Sequence, residues 1–182
     1  MTPSLAPDAD TPPIIGGSRL IVDLAIISDT HLPRGSRALP EACLARLATA
    51  DLIVHAGDLS TPAVLAQLRS LGRVVAVHGN VDEADVRAEL PEAAMIRAGE
   101  RRIAVVHDAG PARGRLERMR ARFPQADAVI FGHSHLPLHE VAGDGFQIFN
   151  PGSPTERRAA PRHTMGLCHA GAELRFQLID LG

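Results

Sequence analysis

The sequence has no tryptophan and no tyrosine in 182 residues, and aromatic residues make up only 3% of it. Proteins that grip single-stranded nucleic acid stack bases on aromatic faces, and this chain has few such faces. The formal net charge is −2, so there is no general basic surface to hold a phosphate backbone. No stable nucleic-acid complex is expected. Cysteine is limited to Cys43 and Cys168, with no CxxC pair. That leaves no disulfide framework and no thiolate metal site, and both are expected as small buried apolar residues in a reducing compartment. No apolar run approaches the ~20 residues of a membrane span. The N-terminus has neither the basic nor the apolar segment of a signal peptide. A cytoplasmic location without membrane association is expected.

What is present is globular. Apolar residues make up 45% and charged residues 22%, enough for one domain with a real core. Residues 1–18, rich in Pro, Asp and Gly, are expected as a flexible leader to a single domain over 19–182. There is no internal repeat. Strands are expected at 20–28, 51–55, 73–78, 93–97, 101–107 and 127–131, and helices at 36–48, 60–72, 83–90 and 112–122. Ser60 is the expected N-cap of the second helix, with Pro62 in its first turn. Hairpins are expected over 137–149 and 164–179. Alternating strands and helices imply a parallel sheet covered on both faces, and the two terminal hairpins suggest a second sheet packed on it. Phe123, Phe131, Phe146, Phe149 and Phe176 all read as core.

Five short apolar runs end in the same way. Asp29-Thr30-His31 follows Leu24–Ile27, and Gly57-Asp58 follows Leu52–His55. Gly79-Asn80-Val81-Asp82 follows Val74–Val77, and His107-Asp108 follows Ile103–Val106. Gly132-His133-Ser134-His135 follows Val129–Phe131. Sites in open α/β sheets form beyond the carboxyl ends of strands. The candidate metal ligands are therefore Asp29, His31, Asp58, Asn80, His107, His133 and His135. Seven side chains are too many for one four-coordinate ion. They suit two five- or six-coordinate ions sharing a bridging carboxylate, a recurring device for cleaving phosphate esters. Imidazole, carboxylate and amide donors without thiolate suit Mn, Fe, Co or Zn better than Mg alone. Two divalent ions against Asp29, Asp58 and a bridging hydroxide leave a charge of about +1, which attracts an anionic phosphoester.

In this order the motifs resemble the calcineurin-like metallophosphoesterases. The short length, the Gly-Asn-x-Asp form and Asn150-Pro151-Gly152-Ser153 look like that family's small prokaryotic phosphodiesterase branch. The resemblance covers about residues 20–180. It implies a four-layer α/β/β/α sandwich of two mixed sheets flanked by helices. It also implies two divalent ions, Mn foremost with Fe, Ni, Co or Zn as alternatives. Asp29, His31, Asp58 and His135 would hold one ion. Asp58, Asn80, His107 and His133 would hold the other, with Asp58 bridging and Asn80 and His107 as candidate catalytic residues. A metal-bridging hydroxide would attack phosphorus in line in a small phosphodiester substrate. A homodimer is also in keeping with the family. The alternatives are a phosphomonoesterase of the same fold and a non-catalytic scaffold like the retromer subunit.

Two positions depart from the pattern. Val81 stands where phosphatases of the family carry a histidine that protonates the leaving group. Losing such a proton donor costs on the order of 10²–10⁴-fold where leaving-group protonation limits the rate. Asp108 replaces the usual glycine, and its carboxylate would either steer an ion or repel substrate. Of the other candidates, Arg34, Arg157 and Arg158 offer guanidinium forks for phosphate oxygens. His78, just before Gly79-Asn80, is weighed as a substrate contact but is not the favoured reading, and Asp82 is expected to fix the loop around Asn80. His55 reads as a hydrogen-bonded core residue, and His139, His163 and His169 as surface or strand residues. Arg113, Arg115, Arg118, Arg120 and Arg122 read as a solvated helix face.

Overall fold

The computed structural model describes residues 14–15, 22–35 and 37–182. Most of the expected leader therefore lies outside the described residues. Its Ile14–Ile15 form a two-residue strand, β1, paired in parallel with Arg97 and Ala98. The remaining strands are β2 (Val22–Ile27), β3 (Leu52–Ala56), β4 (Val74–Val77), β5 (Ala93–Ala98), β6 (Arg101–Val106), β7 (Ala128–Ile130), β8 (Leu138–Val141), β9 (Gln147–Asn150), β10 (Thr164–Ala170) and β11 (Leu174–Asp180). The helices are α1 (Glu41–Thr49), α2 (Pro62–Leu71), α3 (Ala84–Glu89) and α4 (Arg115–Arg122). Among the described residues no helix is long and apolar enough to cross a membrane.

The strands form two mixed sheets, with orders β11-β10-β2-β3-β4 and β1-β5-β6-β7-β9-β8. Their side chains alternate between two cores, as the pleat requires. Leu24 and Ile26 of β2 meet Ile103 and Val105 of β6 between the sheets. Ala25 and Ile27 face the opposite way, onto Cys43, Leu47, Leu65 and Leu68 of α1 and α2. Ala104 and Val106 of β6 turn outward to Met119 of α4. Three apolar cores between successive layers make the expected α/β/β/α sandwich.

Among the differences from the sequence expectations, three concern the sheets and the first two helices. The terminal hairpins do not make a sheet of their own. β10–β11 joins the first sheet through β2, and β8–β9 joins the second through β9 and β7. β10 lies between β11 and β2 and is buried along most of its length, with His169 exposed, so it serves as an interior strand, which alternation alone does not reveal. Second, α1 begins at Glu41, because Pro40 is extended and restricts the residue before it. Third, the N-cap of α2 is Thr61, with Pro62 at N1. Ser60 has φ 90° and gives its N–H to Asp82 Oδ1 at 2.6 Å. It supports the site described below and does not cap the helix.

Candidate metal centre

Strands β2, β3 and β4 run parallel in one sheet, and β6, β7 and β9 run parallel in the other. Their carboxyl ends meet at one edge. The His107 ring, from the second sheet, donates from Nδ1 to the carbonyl of Ala56 in the first at 2.8 Å. Backbone pairing continues past the strands: Asp29 N to Gly57 O at 2.9 Å, His31 N to Asp58 O at 3.0 Å and Gly132 N to His107 O at 2.9 Å. Five of the seven candidate ligands hold left-handed φ: Asp29 (55°), His31 (47°), Asp58 (59°), His133 (68°) and His135 (58°). L-residues seldom adopt this region, and where they do the surroundings impose it, commonly at functional sites.

All seven predicted side chains come together. Donor atoms of Asp29, His31 and His135 lie within 4.8 Å of one another, and so do those of Asp29, Asp58 and His107. Asp58 Oδ2 sits between the two halves, 3.7 Å from His31 Nε2 and 3.3 Å from His107 Nε2. Asn80 Oδ1 lies 3.1 Å from His107 Nε2 and 3.0 Å from His133 Nδ1. His31 and His135 stack with centroids 5.0 Å apart. The first half is deeply buried, whereas Asn80 and His133 are exposed and line a cavity of about 300 Å³ with His78, Asp108, Glu92 and Arg122.

This donor set fits divalent cations. His107 Nδ1 donates to Ala56 O, and His135 Nδ1 donates to Glu156 O. Those bonds leave each neutral ring with its Nε2 lone pair turned inward. The His135 lone pair faces His31 Nε2 at 3.2 Å and Asp29 Oδ1 at 3.3 Å. The His107 lone pair faces Asn80 Oδ1. His135 Nε2 against Asp29 Oδ1 and His107 Nε2 against Asn80 Oδ1 are acceptors aimed at acceptors, which repel unless a proton or a cation lies between them, while His31 Nε2 donates or accepts according to its tautomer.

Electrostatics divides the two carboxylates. Burial pushes Asp29 up to about 7, outweighing His107, the Ser28 hydroxyl and the His133 N–H. Burial also presses Asp58 upward, but hydrogen bonding and charge from His107, the Val81 N–H and His31 overcome it, so Asp58 falls below its ordinary value. His107 is pushed down by burial and up by Asp58 and Asp29, and the carboxylates win. Burial lowers His135 to about 4 and also lowers His31.

The surrounding residues hold this geometry. Asp82 accepts from the N–H groups of Gly79 (2.7 Å), Asp58 (3.2 Å) and Ser60, fixing the Asn80 loop. Asn150 Nδ2 donates to Gly132 O at 2.8 Å, and Ser153 Oγ donates to Asp29 O at 2.8 Å. A Cβ added at Gly132 would stand 2.7 Å from Asp29 Oδ2, and one at Gly79 would stand 2.6 Å from Asp58 N. Both motif glycines admit carboxylates that any side chain would displace.

His55 is fully buried outside both donor groups, with Nε2 3.0 Å from Thr30 Oγ1. Asp108 turns back to accept from Gly110 N at 2.6 Å. Arg157 donates to Ala160 O at 2.9 Å, while Arg34 and Arg158 face Glu156. Sequence reading passed over Glu156, Arg37, Ser28 and Thr155. Thr155 Oγ1 donates to Thr30 O at 2.7 Å, and Ser28 Oγ donates to Asp29 Oδ2 at the same distance. Only the adjacency of Ser28 to Asp29, and of Thr155 and Glu156 to Ser153, could have marked them.

A two-sheet α/β/β/α sandwich with mixed carboxylate and imidazole donors on its strand ends defines the metallo-dependent phosphatase fold. Residues 22–173 match the calcineurin-like phosphoesterase superfamily domain, and the chain belongs to that family. It is 33% identical over 161 residues to a "Probable metallophosphoesterase" of Methanothermobacter thermautotrophicus, covering 87% of this chain and 92% of that one. A "Probable metallophosphoesterase" of Methanocaldococcus jannaschii is 36% identical over 157 residues, covering 85% and 78%. Among solved structures, Vacuolar Protein Sorting 29 from Cryptosporidium parvum superposes with a TM-score of 0.77 at 22% identity, covering 89% and 92%. That likeness is one of fold. By family the chain is a metallophosphoesterase, a hydrolase whose relatives use divalent metals.

Proposed function

We propose that this chain hydrolyses small phosphodiesters with good leaving groups. Two divalent cations, Mn²⁺ foremost, would be held by Asp29, His31, Asp58 and His135 on one side and by Asp58, Asn80, His107 and His133 on the other. The convergence of seven donors from five strand ends, with Asp58 between the halves, carries this reading. Fe, Ni, Co and Zn suit the same donors. When bound, such a pair of cations acidifies water and neutralises phosphate oxygens.

The chain's own residues supply the rest. Asp58 stays ionised well below neutrality, as a bridging position needs. The backbone carbonyls of Ala56 and Glu156 orient His107 and His135. Val81 is 46% exposed beside Asn80 and offers no proton there. Without a proton donor at this position, esters of acidic alcohols and phenols, whose leaving groups depart readily as anions, are favoured.

The test compares kcat/KM for bis(p-nitrophenyl) phosphate and p-nitrophenyl phosphate. The diester is expected to be the better substrate, and a clear monoester preference would overturn the diesterase reading. Val81→His should raise turnover of esters with poor leaving groups while changing bis(p-nitrophenyl) phosphate little.

A further inference from the structure

Beside the His31/His135 half of the centre, three guanidiniums converge on one carboxylate. Arg34, Arg37 and Arg158 face Glu156 with nitrogen–oxygen separations of 3.4, 2.8 and 3.9 Å. The local balance is two uncompensated positive charges, on a chain whose net charge is −2. Only Arg37 is closely engaged. The side chains of Arg34 and Arg158 are 67% and 50% exposed, and their contacts to Glu156 are long.

This patch adjoins the centre. Glu156 takes the Nδ1–H of His135 on its backbone carbonyl. Arg34 lies three residues after His31. The charges of Arg158 and Glu156 act on both His31 and His135. The loop is also rigidly placed. The Ser153 hydroxyl accepts from Glu156 N at 2.9 Å and Thr155 N at 3.2 Å while donating to Asp29 O. Arg158 is held at φ 46°.

We propose that Arg34 and Arg158, backed by Arg37 and Glu156, form a second anion subsite that takes a further phosphate group carried by the substrate. Guanidinium forks match phosphate oxygens in bidentate geometry. A doubly charged phosphate outcompetes the one half-buried carboxylate for Arg34 and Arg158, while Arg37 keeps Glu156 in place. The substrate class is thus a phosphodiester bearing a second phosphate one ester arm away. The identity of the reacting bond rests on the phosphodiesterase reading, whereas binding at the subsite does not.

The test is calorimetric titration of the full chain in Mn²⁺ buffer. The ligands are alkane-1,ω-diol bisphosphates of two to six carbons, the alkyl monophosphates of the same lengths, and inorganic phosphate. At least one bisphosphate should bind about tenfold tighter than its monophosphate. That ratio should collapse towards unity in Arg34→Gln/Arg158→Gln and recover in part in Arg34→Lys/Arg158→Lys, which keeps the charge. The ratio should also shrink as salt rises. A merely structural pairing with Glu156 would not make affinity depend on the ligand's second phosphate.

The proposal is overturned if no bisphosphate surpasses its monophosphate, or if the preference survives the double Gln variant. It is also overturned if inorganic phosphate alone saturates the arginines as tightly as any bisphosphate, which would mark a site for free phosphate. Turnover of bis(p-nitrophenyl) phosphate in the same preparation separates the two claims. An inactive protein that keeps the arginine-dependent preference loses the diesterase reading and retains the subsite.

Discussion

Asp29 is fully buried, takes an unfavourable left-handed backbone and has its pKa pushed up to about 7 by burial. Without a cation it keeps its proton up to a pH of about 7, whereas an ordinary aspartate loses it near 3.8, and the window between the two is peculiar to this site. Cation binding expels that proton, together with the one the carboxylates hold on His107, so metal affinity should rise with pH through this window. Titrating Mn²⁺ at pH 6 in buffers of different ionisation enthalpy should show at least about one proton released per chain; no release would contradict the assignment. His55 behaves in the opposite sense. Burial lowers it to about 3, so the unfolded chain takes up the proton first. Its contribution to stability is whole above pH 6.5 and is lost as pH falls towards 3, by roughly 1.4 kcal/mol per unit. Urea melts between pH 7 and 4 should show a shallower acid loss in His55→Gln. Gly132→Ala should both weaken Mn²⁺ binding and lower the melting temperature, because the added Cβ meets the Asp29 carboxylate at 2.7 Å and the Ala56 carbonyl and Ser28 Cβ at 2.9 Å.

Among the elements, α4 departs from its sequence reading in how its arginines are used. Its arginines alternate as if solvated, yet they are put to structural use. Arg118 donates to Ala109 O from Nε at 3.1 Å and from Nη2 at 2.7 Å, and to Pro111 O at 2.6 Å. Arg115 lies over the Phe131 ring at 5.0 Å, and Arg120 lies over Phe146 at 4.7 Å. Arg118→Ala should cost about 1–3 kcal/mol in denaturant melts, since it strips partners from loop carbonyls. Arg113→Ala, at an exposed position, should stay within about 0.5 kcal/mol. The strand ends were legible because their apolar runs stop abruptly at Gly, Asp, Asn or His. The start of α4 was not, because Gly114 with φ 66° resets the chain where the helical periodicity reads smoothly.

For the whole molecule, the sandwich follows from which faces are apolar. Strands buried on both faces need a layer on each side, and three cores fill the spaces between four layers. The order of the motifs in the chain was enough to indicate that the strand ends converge, because parallel strands leave their carboxyl ends on one edge. The joining of the last hairpin to the first sheet was hidden, since pairing of β10 with β2, as between Gly166 and Ile26, crosses most of the chain and leaves no local trace. The Arg34–Glu156 pairing was hidden for the same reason.

The central claim is a dinuclear centre organised by Asp58. The measurement that tests it most directly is hydrolysis of bis(p-nitrophenyl) phosphate by chelator-stripped protein as Mn²⁺ is added back in stoichiometric steps, beside Asp58→Asn. Activity should climb to a plateau at two equivalents per chain, and the variant should be slower by on the order of 10²-fold or more. A plateau at one equivalent, a variant as fast as the parent chain, or no hydrolysis with Mn²⁺, Fe²⁺, Co²⁺ or Ni²⁺ would contradict it.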